Sequence, residues 1–471
     1  MVSPSGIAMA GRNMALTDSE NLPARAPAFR LPSRLRAWLA SEHGAIQRMA
    51  GGAFVIRVIG AVVIFLSQIL LARWIGGVEF GIYVYAWTWL QMVGDIIHLG
   101  LPLTAQRIVP EYTQRNDYDG LRGFLLGSRW IVFAAATMIA AAGAIAVHGL
   151  EQSLDSGAIM PLYLACVALP LYPLSNMLDG LARPYNAVGI ALLPPFVLRP
   201  LMLIAAMAVA LAFGIPANAT TAMAAFAFAT WTTTLVQLVL FNRCLAKQVP
   251  AGPTRYDFSA WLTTASPIFA VWAFYMLLTY TDVLVLRHFR PPEEVAHYYA
   301  AAKILALVTF VHFSVSAAVA HRFSAHHVAG DGNALAALAA STVRWTFWPS
   351  LAAIALILAF GKPILWLFGP GFQDGYPLMF ILAIALLARA AVGPAERVLN
   401  MLGEQRRCAL IYAAMFAVNL AGCIAVAGPY GSVGVAVVIA ATCVLESALL
   451  FAAAKRRLGL HMLIWRPRPS A

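Results

Sequence analysis

Charge is what this sequence has least of. Only 11% of its 471 residues are Asp, Glu, Lys or Arg and 61% are hydrophobic, against roughly 25% and 45–50% in an average soluble domain. That balance excludes a large water-soluble protein. Lysine is nearly absent: 28 of the 32 basic residues are Arg, and with only 20 acidic residues the net charge is +12. In so apolar a chain, a basic excess reads as anchoring to a cytoplasmic membrane face, and no nucleic-acid partner is expected. The five cysteines (Cys166, Cys244, Cys408, Cys423 and Cys443) are odd in number and lack metal-ligand spacing, so they read as ordinary membrane-helix residues and no metal is expected. The histidine cluster His321, His326 and His327 lacks the Cys or carboxylate partners of a zinc site. No Gly-x-x-x-x-Gly-Lys-Ser/Thr segment occurs, which argues against ATP as direct energy source, and no cofactor is implied.

What is present is a nearly continuous series of apolar runs. At about 1.5 Å of rise per helical residue, about 20 residues cross a bilayer core of about 30 Å. Twelve candidate spans follow, at about 54–76, 80–100, 125–148, 158–180, 190–214, 218–242, 260–287, 298–320, 343–361, 376–396, 407–427 and 432–454. The expected fold is therefore all-α and polytopic, with about twelve transmembrane helices in two six-helix bundles. Residues 1–53 form a cytoplasmic leader, residues 54–242 and 260–454 the N-terminal and C-terminal bundles, residues 243–259 a cytoplasmic linker, and residues 455–471 a basic cytoplasmic tail. The first part of the leader has the composition of a disordered segment. From Leu31 to Met49 apolar residues alternate with Arg34, Arg36 and Arg48, as in an amphipathic helix lying on an anionic leaflet, with a plain linker helix as the alternative.

Basic residues gather in the even-numbered connections (Arg107, Arg115, Arg122, Arg183, Arg243, Lys247, Arg255, Arg322, Arg406, Arg407), and acids gather in the odd-numbered ones (Glu79, Glu151, Asp155, Glu293, Glu294, Asp374). The positive-inside rule then places the even connections and both termini in the cytoplasm. The halves also read as a repeat. Glu79, Tyr83, Ala86 and Arg107 align with Glu294, Tyr298, Ala301 and Arg322 at one offset, and Asn176-Met177-Leu178 matches Asn400-Met401-Leu402 at a slightly larger one. Six spans per half give both halves one orientation, with a substrate path between them.

Gly52 to Tyr112 carries a recognisable order of elements: Arg57 in span 1, Leu70-Leu71-Ala72-Arg73-Trp74-Ile75-Gly76, Phe80-Gly81-Ile82-Tyr83, Gly100-Leu101, and Arg107 ahead of Pro110-Glu111-Tyr112. Later stretches agree: Gly361 to Phe372, Leu399 to Arg407, and Gly428-Pro429-Tyr430-Gly431-Ser432-Val433-Gly434. Over residues 50–454 the chain resembles the polysaccharide-biosynthesis flippases of the multidrug/oligosaccharidyl-lipid/polysaccharide (MOP) exporter superfamily. The resemblance implies a V-shaped pair of six-helix bundles in a bacterial inner membrane. It also implies passage of a polyprenyl-pyrophosphate-linked oligosaccharide to the outer leaflet, with membrane lipids and other polysaccharide-assembly proteins as further partners. The longer leader departs from the pattern.

An ionisable group at the centre of a span costs roughly 2.5–3.5 kcal/mol on insertion scales, so it faces a partner or a water-filled cavity. The embedded cations Arg57, Arg199, Lys303 and Arg389 are the candidate substrate ligands, because an Arg fork binds phosphate oxygens bidentately. Asp95, Asp282, His98 and His312 are candidates for ion coupling or for charge pairs with those cations, and a pair of that kind would be satisfied without any ligand. Arg199-Pro200 after Pro194-Pro195 marks a kink or break in span 5. Gly428, Gly431 and Gly434 read as a tight turn between spans 11 and 12. Two other functions compete. A drug/cation antiporter of the same superfamily needs cavity-facing acids, whereas the embedded charges here lean basic. A polysaccharide polymerase or ligase is an enzyme with a substantial outer loop, and the odd-numbered connections are too short for one.

Overall fold

The computed structural model describes residues 42–464 except 313, 316–318, 320–322 and 324–331, with side chains from Gly51 onward. The amphipathic segment up to residue 41, His321, Arg322, His326, His327 and the tail beyond residue 464 lie outside the described residues.

Ten helical stretches are long and apolar enough to cross a membrane among the described residues. Two of them are double. Glu42–Ile97 breaks at Gly76 (φ 79°), and Gln405–Leu458 breaks at Gly431 (φ 57°). Positive φ is tolerated by glycine and costly for residues with a Cβ. Gly431 has a second reason: a Cβ there would run into the Glu294 carboxylate and the Arg290 guanidinium. Counting each double as two gives twelve passes. They are spans 1 and 2 (Glu42–Ile97), 3 (Tyr118–Gly149), 4 (Ser156–Ala182), 5 (Val188–Ala212), 6 (Ala219–Gln248), 7 (Phe258–Phe289), 8 (Pro292–His312), 9 (Asn333–Ala359), 10 (Pro370–Val392), and 11 and 12 (Gln405–Leu458).

Several of the scarce acids and amides serve as helix caps. Asp117, Asp155, Asn218 and Asp257 accept backbone N–H groups at the starts of spans 3, 4, 6 and 7, satisfying donors that a helix start leaves open. The repeat has a structural counterpart of the same kind. Glu79 accepts the Ala219 N–H at the start of span 6 (2.7 Å), and Glu294 accepts the Ser432 N–H at the start of span 12 (2.6 Å).

At the end of the molecule that carries the Gly76 turn, one core draws on both halves. Phe80 and Tyr83 of span 2 pack with Tyr298 and Tyr299 of span 8 and with Phe368 and Phe372. Arg73 donates to the carbonyls of Leu367 (2.7 Å) and Trp366 (2.8 Å), Arg287 pairs with Asp155 at 2.7 Å, and Gly81 lies against the Pro292 carbonyl, where a Cβ would clash. At the opposite end the halves have separate cores.

The core of the first half also takes in Trp261 and Ala265, from the start of span 7. The connection ahead of them is strapped to span 3. Arg122 donates to the carbonyls of Pro253 (2.7 Å) and Pro250 (2.8 Å), Arg255 N–H donates to Asp119 O (2.9 Å), and the Arg255 side chain pairs with Asp117. Trp261 Nε1 donates to the Tyr112 hydroxyl at 3.1 Å. Chain order assigns residues 260 onward to the second bundle, whereas packing puts the first turns of span 7 with the first.

Candidate functional site

Span 5 is not broken at its prolines. Pro194, Pro195 and Pro200 supply no N–H, and Pro194–Leu198 closes as a π turn in which Arg199 N–H reaches the Pro194 carbonyl. Such bulges re-aim the side chains that follow and recur at functional sites. The backbone of span 1 approaches this bulge closely, since a Cβ on Gly60 would stand 2.8 Å from Phe196 Cβ.

The bulge faces a cavity of about 480 Å³ lined chiefly from spans 1, 2, 4 and 5, with Phe226 of span 6 and the helix Leu101–Gln114 contributing and with Trp272 of span 7 and Lys303 of span 8 added from the other side. Arg57 lies over the Phe196 ring at 5.0 Å, at the end of the cavity that includes Asp179 and Arg183, themselves an ion pair at 2.7 Å. Arg199 is 7% exposed and stacks over Tyr172 at 5.2 Å, while its Nε and Nη2 have no hydrogen-bond partner among the described residues. Lys303 holds its ammonium over Trp87 (5.2 Å) and Tyr299 (5.0 Å).

Asp95 lines the same cavity but is occupied by neutral donors: Asn176 Nδ2 at 2.9 Å and the Tyr280 hydroxyl at 3.0 Å. Its backbone carbonyl takes Trp272 Nε1 at 3.1 Å. His98, also in the lining, accepts the Gly100 N–H through Nδ1 at 3.3 Å. Among the described residues neither Asp95 nor Asp282 forms an ion pair within 4 Å, so the direct pairing with Arg57 or Lys303 that would satisfy them is not the arrangement found. Asp282 lies outside the cavity lining and binds the Tyr298 hydroxyl (2.6 Å) and the Val283 N–H (2.8 Å).

Arg389 and His312 belong to another place. They line a cavity of about 140 Å³ within the second half, together with Glu396, Tyr412 and Glu446, and Arg389 pairs with Glu446 at 2.8 Å. The structure thus brings Arg57, Arg199, Lys303, Asp95 and His98 together and leaves Arg389, Asp282 and His312 apart. Sequence reasoning missed the neutral lining: Gln68, Gln91, Trp87, Tyr172, Asn176 and Trp272. For Asn176 a signal existed, because it opens one of the two repeat matches. For the others none did, since an aromatic or amide in an apolar span carries no mark of the face it occupies. No group of three or more His, Cys, Asp or Glu side chains able to hold a metal is present among the described residues.

A model of the polysaccharide biosynthesis protein family matches residues 50–325, more than half of the chain. The chain belongs to that family. A second family model, MatE, matches residues 267–425. Among solved structures, the chain is similar to an inward-facing multidrug resistance MATE family transporter of the MOP superfamily (14% identity over 86% of this chain and 98% of that one, TM-score 0.71). It is also similar to the lipid II flippase MurJ in an inward closed conformation (14%, 85% and 87%, TM-score 0.66). A third is a MOP superfamily transporter from Pyrococcus furiosus described by the reverse polarity of its binding pocket (14%, 86% and 95%, TM-score 0.64). At these identities the likeness is one of fold, and this member of the polysaccharide biosynthesis family has the two-lobed helical fold of MOP-superfamily transporters. No curated protein matches the chain.

Proposed function

We propose that the protein is a flippase that carries a polyprenyl-pyrophosphate-linked oligosaccharide from the cytoplasmic to the outer leaflet of the bacterial inner membrane, with both termini in the cytoplasm and the lipid tail left in the bilayer. The observation that carries this reading is the charge of the central cavity. Four cations line it (Arg57, Arg183, Arg199, Lys303) against two acids (Asp95, Asp179), and both acids are already engaged. An organic cation would find Asp179 already paired with Arg183 and Asp95 outnumbered by the cations of the lining, which disfavours the drug/cation antiporter. A pyrophosphate would find the guanidinium of Arg199 with two donors unused, in surroundings where charge-assisted hydrogen bonds are strongest. Arg57 and Lys303 would add two further positive contacts, and the amides and indoles of the lining suit sugar hydroxyls and sugar faces. Under this reading Asp95 and His98 exchange protons as the cavity changes its exposure. The orientation rests on the basic bias of the even-numbered connections. Membership of a polysaccharide biosynthesis family is the context in which such a substrate arises.

The test is reconstitution. Proteoliposomes carrying a fluorescent polyprenyl-pyrophosphate sugar should show translocation by the wild type and little by Arg57→Gln, Arg199→Gln, Lys303→Gln made together. Full translocation by that triple variant, or transport of an organic cation in place of the lipid-linked sugar, would overturn the reading.

A further inference from the structure

The paired end of spans 11 and 12 holds a feature that the central cavity does not explain. A cleft of about 430 Å³ runs between the two helices, with Leu410, Leu449 and Ala453 among its apolar lining and Arg407, Arg456 and Arg457 in its wall. Above it the outward face is apolar and exposed, through Val418 on span 11 and Leu445 on span 12.

Helix electrostatics account for only part of this charge. Lys455, Arg456 and Arg457 occupy the last turn of Gln405–Leu458, where cations complement the negative end of the helix dipole. Arg406 and Arg407 occupy its first turn, which contains no acid, and there a cation opposes the dipole. Arg407 is held by Glu404 at 2.6 Å. Among the described residues Arg406, Lys455, Arg456 and Arg457 form no ion pair within 4 Å. Three arginines from a helix start and a helix end, Arg407, Arg456 and Arg457, thus line a groove whose floor is hydrocarbon, and of the three only Arg407 has a carboxylate partner, Glu404, among the described residues. An ion or a free phosphate would use the charge and waste the groove. A phospholipid uses both, its phosphate on the arginines and the upper part of an acyl chain along Leu410 and Leu449.

We propose that this cleft is a binding site for an anionic phospholipid of the leaflet that meets this end of spans 11 and 12. The site holds the second half to that leaflet through a lipid that is neither substrate nor random solvent. It is independent of what the central cavity carries.

Native mass spectrometry of the full-length protein tests this, using phosphatidylglycerol and phosphatidylethanolamine of identical acyl chains. The wild type should retain phosphatidylglycerol at least about tenfold better. Arg407→Gln, Arg456→Gln, Arg457→Gln made together should abolish the preference, since each basic contact near a membrane surface contributes a several-fold factor. A control with the same charge loss elsewhere, Arg115→Gln, Arg243→Gln, Lys247→Gln, should keep it. Ala453→Phe, which fills the cleft and removes no charge, should lower retention as the triple variant does. Equal losses in triple variant and control, or full retention by Ala453→Phe, would reduce the effect to general electrostatic attraction and overturn the site.

Discussion

The two halves run through corresponding spans and each supplies most of the wall of one polar cavity, yet the cavities treat charge differently. In the first half Arg199 is buried with two donors unused, and Asp95 is held by a hydroxyl and an amide. In the second half Arg389 is joined to Glu446 through Nη2, with Nε its only buried donor left without a partner among the described residues, and the space around them is about 140 Å³ against about 480 Å³. A membrane protein tolerates a buried charge through a fixed partner or through water and ligand in a cavity. The second half uses the first solution and the first half uses the second. Where the cation keeps its donors open, a substrate can take them.

The largest test of this contrast is Arg389→Met. It leaves Glu446, 2% exposed, as a buried charge without its partner, so it should lower stability by about 3–5 kcal/mol, with Glu446→Leu added to it restoring most of the loss. Thermal unfolding in detergent reads both. If Arg389→Met unfolds no earlier than the wild type, the second cavity is hydrated and the contrast fails. Arg199→Gln should do the reverse, leaving the unfolding temperature within a few degrees of wild type. It should weaken binding of a soluble polyprenyl-pyrophosphate analogue about ten- to a hundredfold, the equivalent of one lost charge-assisted contact of about 1.5–3 kcal/mol.

A smaller effect sharpens the repeat. Glu79→Gln and Glu294→Gln each remove a charged cap from the start of a corresponding span, at a cost of about 0.5–2 kcal/mol for the cap, and Glu294→Gln should cost the more because Glu294 also pairs with Arg290 at 2.7 Å. No loss at all in Glu79→Gln would mean that its cap is incidental. The smallest effect concerns the strap. The Gly120 N–H and the Arg255 guanidinium hold the Asp117 carboxyl below the usual carboxylate range. Its contribution is therefore complete above about pH 4, the ordinary value for Asp, and disappears as pH falls through the depressed value. Asp117→Asn should be modestly destabilising at neutral pH and indistinguishable from wild type in strong acid. A pH-independent difference would place the effect elsewhere.

The spans were legible because their length is dictated by the bilayer, and Gly76 and Gly431 mark the breaks that make twelve passes of ten stretches. Arg57, Asp95, Arg199 and Lys303 stood out because charge in hydrocarbon is costly. Which of them meet was not legible. A helix apolar all round gives no periodicity to show its inner face, since lipid and protein interior are equally apolar. The partners of Asp95 lie 81 and 185 residues away in sequence, at Asn176 and Tyr280, and Arg389 finds Glu446 across 57 residues. The charge pairs with the embedded cations that sequence offered for Asp95 and Asp282 are not what satisfies them: Asp95 binds Asn176 and Tyr280, and Asp282 binds Tyr298 and the Val283 N–H.

The strap between the halves has one more consequence. Arg122 and Arg255 fasten the connection to span 3, and Trp261 is sunk beside Phe124, 5.3 Å between ring centroids, whereas Val271 and Leu278, further along the same helix, belong to the core of the second half. Between them stands Pro267, which leaves the Thr263 carbonyl without its helical donor, and the Ser266 hydroxyl supplies one at 3.0 Å. The seam between the halves therefore runs through the body of a helix and not along the loop that joins them. A chain nicked at Gly252 would give two fragments still bolted together by an indole, and exchanging halves between relatives at that loop would transplant the first turns of span 7 into a core built for other side chains. The joint at which such chimaeras can be cut is residue 267.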